Sequence, residues 1–403
     1  MASGQLPTQK ATRQQTKHHN RSLVLKTIFE HASTSRAAIA RGTSLTRTTV
    51  SEIVADLMAQ GLVEETGLGA SIGGKSPILL SLVPDSRRLI GVDLGQSLFS
   101  GAVLNLRGEV KQAVTLPARG RNGDEALAQV YEIIDRLLRI DQQRPVGIGV
   151  GTPGLVNTRD GVVVNAVNLD WQDLPLAHLL RSRYELPVYV LNDSQAAAMG
   201  EFTYGQGNNT SENLVVVSVR HGIGAGIIIG GQLFQGDGGG AGEIGHVVVV
   251  PEGGLVCHCG NRGCLETVAS SQAVVNRVQA MRAHSTAPLL AGAQGEVALD
   301  LVERAFSAGD AEVRQVVLEA GNYLGLAISS MVGTLNIRKI VLSGDMTRFG
   351  AAWLDAIRQT LARSSLSRLA QDTQVEIGQV SGNRVILGAS ALLLGDYSLL
   401  LGP

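Results

Sequence analysis

Hydrophobic positions along this chain follow two different periods, and the places where the period changes mark its parts. Leu23, Val24, Thr27 and Ile28 recur at helical spacing and predict a helix from Asn20 to about His31. Ser35 suits the cap of a short second helix, Arg36 to Arg41, whose Ala37, Ala38 and Ile39 suit a close helix crossing. Gly42-Thr43 turns the chain, Ser44 can cap a third helix from about Leu45 to Gln60, and Gly61 ends it. That helix carries one apolar stripe, Val50, Ile53, Val54, Leu57 and Met58. Two strands follow, Leu62–Glu65 and Ile78–Val83, around a glycine-rich tip from Gly67 to Pro77. From Leu89 the pattern changes to short, fully apolar runs. Leu89–Gly95 reads as a buried strand entering a glycine turn, Ser100–Asn105 as a second strand, about 124–138 as a helix and Val146–Val150 as a third strand. Strand, glycine turn and strand recur at Leu214–Val219 and Gly222–Ile227. A design used twice predicts an α/β body of two lobes with a cleft between them.

Charge separates the two regions further. The 403 residues carry a net charge of −1, but through Val83 there are nine Lys and Arg against five Asp and Glu, and beyond it 25 against 30. A basic head on an acidic body points to DNA at one end only. The polar face of the third helix holds Ser44, Thr48, Ser51, Glu52 and Ala55, flanked by Arg47. Short hydroxyls and one arginine are what a recognition helix offers to base edges and phosphates. The two strands then form a wing, with Lys75 at its tip able to reach a phosphate or the minor groove. The candidate DNA contacts are therefore Ser44, Arg47, Thr48, Ser51 and Lys75, in a winged helix-turn-helix. Aromatic residues make up only 3% and glycines number 49, which suits close strand–helix packing more than a stacking platform for single strands. No apolar run approaches the roughly 18 residues of a membrane span, and the polar N-terminus lacks a signal-peptide core. A cytoplasmic protein with reduced thiols is expected.

Those thiols are Cys257, Cys259 and Cys264, all the cysteines of the chain, with His246 just upstream. Three thiolates and an imidazole form a closed tetrahedral set of the kind a structural zinc ion prefers. Gly260 and Gly263 let the backbone fold back so that the sulfurs can face one metal. An odd number and a C-x-C spacing argue against disulfides. His258, between two of the cysteines, reads as loop filler pointing away.

C-x-C-G-x-x-G-C-x-E from Cys257 to Glu266, preceded by E-x-G-H from Glu243 to His246, resembles the signature of the ROK family of sugar-responsive repressors and sugar kinases. Arg21 to Val83 resembles the DNA-binding head of its repressor branch, which the kinases lack. The resemblance implies a two-lobed actin/hexokinase-like body behind the winged helix-turn-helix. The expected divisions are a flexible segment 1–18, the head 19–83, lobe one 84–192 and lobe two 193–387, with a C-terminal helix at about 388–403 returning to lobe one. It also implies a sugar site. The turn Thr152-Pro153-Gly154 matches the one beneath the sugar ring, and Asn168 matches a loop asparagine near the hydroxyls. Asn192 and Asp193 match a hydroxyl-gripping pair whose aspartate is the kinases' general base. Glu243, His246 and Glu266 match the remaining ligands, with zinc on the other nitrogen of His246. Carboxylates accept from vicinal hydroxyls, and asparagine both donates and accepts.

The nucleotide loops depart from the family pattern. A kinase needs bare backbone amides around its phosphates. Here D-x-G-G-T has become Asp93-Leu94-Gly95-Gln96-Ser97. Arg220 and His221 replace the first Gly and Thr of a G-T-G-x-G loop, and Asp345 stands in the third region. The expected protein is thus no enzyme. It is a repressor whose operator binding, as a homodimer or dimer of dimers, answers to a monosaccharide or sugar derivative. An ATP-dependent sugar kinase and a ligand-free zinc-stabilised scaffold are the alternatives.

Overall fold

A computed structural model describes residues 12–70, 76–118, 120–205, 212–282, 290, 295–380 and 382–401. The head comprises α1 (Arg13–Phe29), β1 (Thr34–Ser35), α2 (Arg36–Thr43), α3 (Arg47–Ala59), β2 (Val63–Leu68) and β3 (Ile78–Leu82). β3 pairs antiparallel with both β1 and β2, so the hairpin leans on the turn between α1 and α2. The stripe Val50, Ile53, Val54 and Leu57 is buried, with Met58 at its margin.

Two sequence expectations for the head need correction. Residues 13–18, assigned to a flexible segment, form the opening turns of α1. Thr12 accepts from the Gln15 amide at 3.2 Å while the Gln15 side chain accepts from the Thr12 amide at 2.8 Å, a reciprocal cap that starts the helix without any apolar residue. Ser44 is not the cap of α3. It sits at φ +58° as the left-handed end of α2, and Thr46 caps α3 instead by accepting from Thr49 N at 3.1 Å. The hairpin tip with Lys75 lies outside the described residues.

In the body, β4 (Leu89–Leu94), β5 (Leu98–Leu104), β6 (Val110–Pro117), α4 (Gly123–Ile140) and β7 (Ile148–Thr152) come first. A small sheet follows, of β8 (Leu155–Asn157), β9 (Val162–Ala166) and β10 (Trp171–Leu174), then α5 (Leu176–Tyr184) and β11 (Val188–Asn192). α6 (Asp193–Tyr204) leads to β12 (Leu214–Val219), β13 (Ile223–Ile229) and β14 (Gln232–Phe234). Beyond the cysteine loop lie α7 (Glu266–Ala269), α8 (Ser271–Met281), α9 (Leu299–Ser307), α10 (Ala311–Leu335), β15 (Lys339–Ser343), α11 (Gly350–Ser364), α12 (Ser367–Asp372), β16 (Gln374–Ile377) and α13 (Arg384–Gly395).

The duplication is explicit in the sheets. One has the order β11-β7-β4-β5-β6 and the other β14-β13-β12-β15-β16. In each, a central strand pairs antiparallel with its hairpin partner and parallel with a strand reached by crossover. α10 is long and apolar enough to cross a membrane, yet Val313, Val317, Ala320, Leu324, Ile328 and Val332 are buried in the second lobe's core.

α6 and α13 cross between the lobes. A Cβ on Gly388 would stand 1.6 Å from the Ala196 carbonyl oxygen, so the two backbones touch, and only glycine permits it. α13 begins at Arg384, a turn earlier than expected, and lies on β4 and β7 of the first sheet. Its end and the turn after it supply Leu393, Leu394, Leu400 and Leu401 to a core shared with Val24, Leu25, Ile28, Leu57 and Leu62 of the head. Head and body are packed as one mass.

Candidate functional site

The loop after β14 presses its backbone onto β13. A Cβ on Gly245 would come within 2.1 Å of the Ile223 carbonyl oxygen, which explains the glycine of Glu243-Ile244-Gly245-His246. This contact aims His246 at the cysteines. Its Nδ1 lies 3.6 Å from Cys257 Sγ, Cys259 Sγ lies 3.7 Å from Cys264 Sγ, and all four donor atoms fall within 4.8 Å of one another. Donors at tetrahedral angles around one zinc, with bonds of about 2.3 Å to sulfur and about 2.1 Å to nitrogen, stand about 3.8 Å apart for two sulfurs and about 3.6 Å for sulfur and nitrogen. The cluster fits a metal ion. Burial and the neighbouring Cys259 and Cys257 push the Cys264 thiol up to about 12, a crowding that a central cation relieves.

The opposite nitrogen of His246, Nε2, faces Glu243 at 3.9 Å. Lost hydration, Asp193 and Glu266 together raise the Glu243 carboxyl to about 7. Glu243 and His246, on one tight turn, are thus brought together with Glu266 and Asp193, which start α7 and α6. Glu266 is well occupied: Oε2 accepts from Ile223 N at 3.0 Å, and Oε1 meets His258 Nδ1 at 3.1 Å. His258 is therefore not filler. Its ring also stands edge-on to His246, with 5.2 Å between centroids, so it braces two candidate ligands at once.

Asn192 is tied to the start of α6. Its Oδ1 caps α6 by accepting from Ser194 N at 2.9 Å and Gln195 N at 3.3 Å, while Nδ2 donates to the Gly154 carbonyl at 2.9 Å. Those bonds fill both lone pairs of Oδ1 and use one of the two Nδ2 hydrogens, which fixes Asn192 beside Asp193. Gly154 sits at φ +87°, where a Cβ would meet the Asn165 carbonyl oxygen at 2.1 Å. Asn168 is exposed on the turn after β9 and makes no hydrogen bond to the other candidates among the described residues.

The ends of β4, β12 and β15 meet around one side chain. Arg220 Nη2 lies 3.6 Å from Asp93 Oδ2, and Nη1 lies 3.9 Å from Asp193 Oδ2. Gly344 of the third loop lies against the arginine stem, 2.9 Å from Arg220 Cγ to an added Cβ. Burial lifts the pKa of Asp93 and of Asp193, against the pull of Arg220. Burial would lower Arg220, but Asp93, Asp193 and Asp345 outweigh it and leave the guanidinium firmly charged. From sequence this arginine is an obstruction in a glycine loop; its ion pairs depend on loops far apart along the chain.

On the head, Ser44, Arg47, Thr48 and Ser51 are all exposed: Ser44 at the end of α2, Thr48 and Ser51 on the outer face of α3, and Arg47 at its start beside the buried stripe.

The ROK family profile matches residues 89–396. The chain is 31% identical over 387 residues to the xylose repressor of Caldicellulosiruptor bescii, covering 94% of this chain and 96% of that one. The crystal structure of a ROK family transcriptional regulator, a homolog of the Escherichia coli MLC protein, aligns with a TM-score of 0.83 and 29% identity over 96% of this chain and 98% of its own. A ROK family glucokinase from Streptomyces griseus, in complex with glucose and AMPPNP, aligns with a TM-score of 0.67 and 26% identity over 76% of this chain and 98% of its own. The matched segment runs from the first residue of β4 to just past α13, and this chain belongs to the ROK family.

Proposed function

We propose that this chain is a DNA-binding repressor whose grip on its operator is controlled by a monosaccharide or close derivative held in the cleft. The observation that carries the reading is Arg220. It fills, with a charged side chain paired to Asp93 and Asp193, the loop where a kinase keeps bare glycine for phosphates. The hydroxyl-facing carboxylates meanwhile remain, and a helix-turn-helix head is packed onto the body. Relatives named as repressors match 94% of the chain, head included, which supports the same reading.

In this reading Asp193, Glu243, His246 and Glu266 take the sugar hydroxyls, while Asn192 and Gly154 fix the start of α6 beneath the ring. His246, Cys257, Cys259 and Cys264 hold a structural zinc, which clamps the loop and fixes the tautomer of His246. Arg47, Thr48 and Ser51 of α3 face the major groove, and the hairpin tip with Lys75 reaches the backbone. A single head makes few contacts, so two copies related by a dyad bind a palindromic operator. Sugar binding shifts the population of lobe arrangements and with it the separation of the heads.

The kinase alternative rests on Asp193 at the start of α6, but Arg220 holds that carboxylate. Purified protein screened by thermal shift against D-xylose, D-glucose and N-acetyl-D-glucosamine, then by gel shift on its own upstream DNA, tests the proposal. The expected result is one stabilising sugar that alters the shift and no ADP released from ATP and magnesium. Sugar-dependent ADP release that disappears in Asp193→Ala would establish the kinase instead.

A further inference from the structure

The two helices that cross at the centre of the body both start at the cleft and finish beneath the head. α6 starts at Asp193 and ends at Tyr204. α13 is capped by Asn383, whose Nδ2 donates to Asp93 Oδ2 at 2.7 Å, and its far end enters the core shared with the head. Backbones touch at Gly388 and again at Gly200, where an added Cβ would stand 2.5 Å from the Arg384 carbonyl oxygen. Contacts this close leave the pair no freedom to slide independently.

At its far end, α6 meets the β5–β6 turn. The Tyr204 ring lies against Gly108, 2.8 Å from an added Cβ there. The adjacent Arg107 reaches out of the body into the head. Its Nη1 donates to the Phe29 carbonyl at 2.7 Å and its Nη2 to the His31 carbonyl at 3.2 Å, while the guanidinium covers the Phe29 ring at 5.2 Å. Phe29 is the last residue of α1, where the helix dipole and open carbonyls favour a cation. The same ring stands edge-on to Tyr397, just beyond α13, at 6.2 Å. Both crossing helices therefore converge on Phe29, one through Tyr204 and Arg107 and one through Tyr397. Burial lowers the pKa of Arg107, and its hydrogen-bond partners are two main-chain carbonyls rather than an acid. A half-buried cation spent on two carbonyls across a domain junction does more than fill space.

We propose that Arg107 is the positioning residue that passes the state of the sugar cleft to the DNA-binding head. The α6–α13 pair moves as one body, Tyr204 displaces the β5–β6 turn, and Arg107 shifts the end of α1, on which α2 and α3 are packed. This rests on the repressor reading above.

The test compares wild type, Arg107→Gln and Arg107→Lys by fluorescence anisotropy on the protein's own upstream DNA, with D-xylose, D-glucose and N-acetyl-D-glucosamine as probes. Arg107→Gln should keep sugar-free DNA affinity and direct sugar affinity within about threefold, while the ratio of DNA affinities with and without sugar falls by about tenfold or more. Arg107→Lys, which keeps the charge and a donor, should recover part of the response. Hydrogen exchange in α3 should change on sugar addition in wild type and not in Arg107→Gln. A glutamine variant that responds like wild type overturns the proposal. So does one that loses sugar-free DNA binding, because Arg107 would then hold the head together rather than inform it. Wild type that binds DNA yet answers none of the sugars overturns the repressor reading, and this inference with it.

Discussion

Cys259 is the exposed member of the cysteine cluster, and the backbone amide of Asn261 helps lower its pKa. It can leave the cluster with little cost in packing, so Cys259→Ser isolates the metal from the core. Metal analysis should find about one zinc per chain in wild type and far less in the variant, with a melting temperature lower by several degrees. Equal zinc content in both proteins would remove Cys259 from the ligand set. Asp193 separates recognition from architecture in the same way, since Asn192 carries the helix cap. Asp193→Ala should weaken sugar binding by roughly 10- to 150-fold, the loss of a charged acceptor worth about 1.5–3 kcal/mol, measured by calorimetry. Sugar-free DNA binding should be unchanged. At this scale the sequence names the donors well and their division of labour poorly. Asn192 and Asp193 are adjacent polar residues, and only backbone geometry decides which one caps. His258 could not be distinguished from loop filler because its partner, Glu266, is brought back by the turn at Gly260 and Gly263.

Among the elements, α3 has the most exposed chemistry. Arg47 is exposed at the edge of the buried stripe and makes no ion pair among the described residues. Arg47→Ala should cost about 1–3 kcal/mol at one base-pair position and relax preference there, read by binding to a set of single-base operator variants. An unchanged preference at every position would take Arg47 out of the reading face. The helices and core strands were legible because apolar periodicity survives without any tertiary context: Leu214–Val219 forms a strand with the expected bounds. Ends were harder to read. Ser44 and Thr46 are equally good caps by chemistry, and the left-handed turn at Ser44 settles the matter. The reciprocal cap at Thr12 and Gln15 extends α1 through residues whose polarity gives no periodic signal.

For the whole molecule, repetition within the body and expected repetition of the chain act together. Two heads held on rigid bodies can span only certain distances along a duplex. An operator with its half-sites moved apart by about half a helical turn, roughly 5 bp, should lose most of its affinity, whereas a full turn should restore part of it. Gel shifts on such a spacing series give the answer, and indifference to spacing would mean that heads act singly. The shared core adds a consequence in time. The ribosome makes α1 some 360 residues before Leu393 and Leu394, which complete the packing around Val24 and Ile28. At synthesis rates of about 5–20 residues per second, that interval is roughly 20–70 s. The part of the protein that meets DNA is thus translated before the body that completes its core. A chain interrupted before α13 carries a recognition helix with an incomplete core behind it.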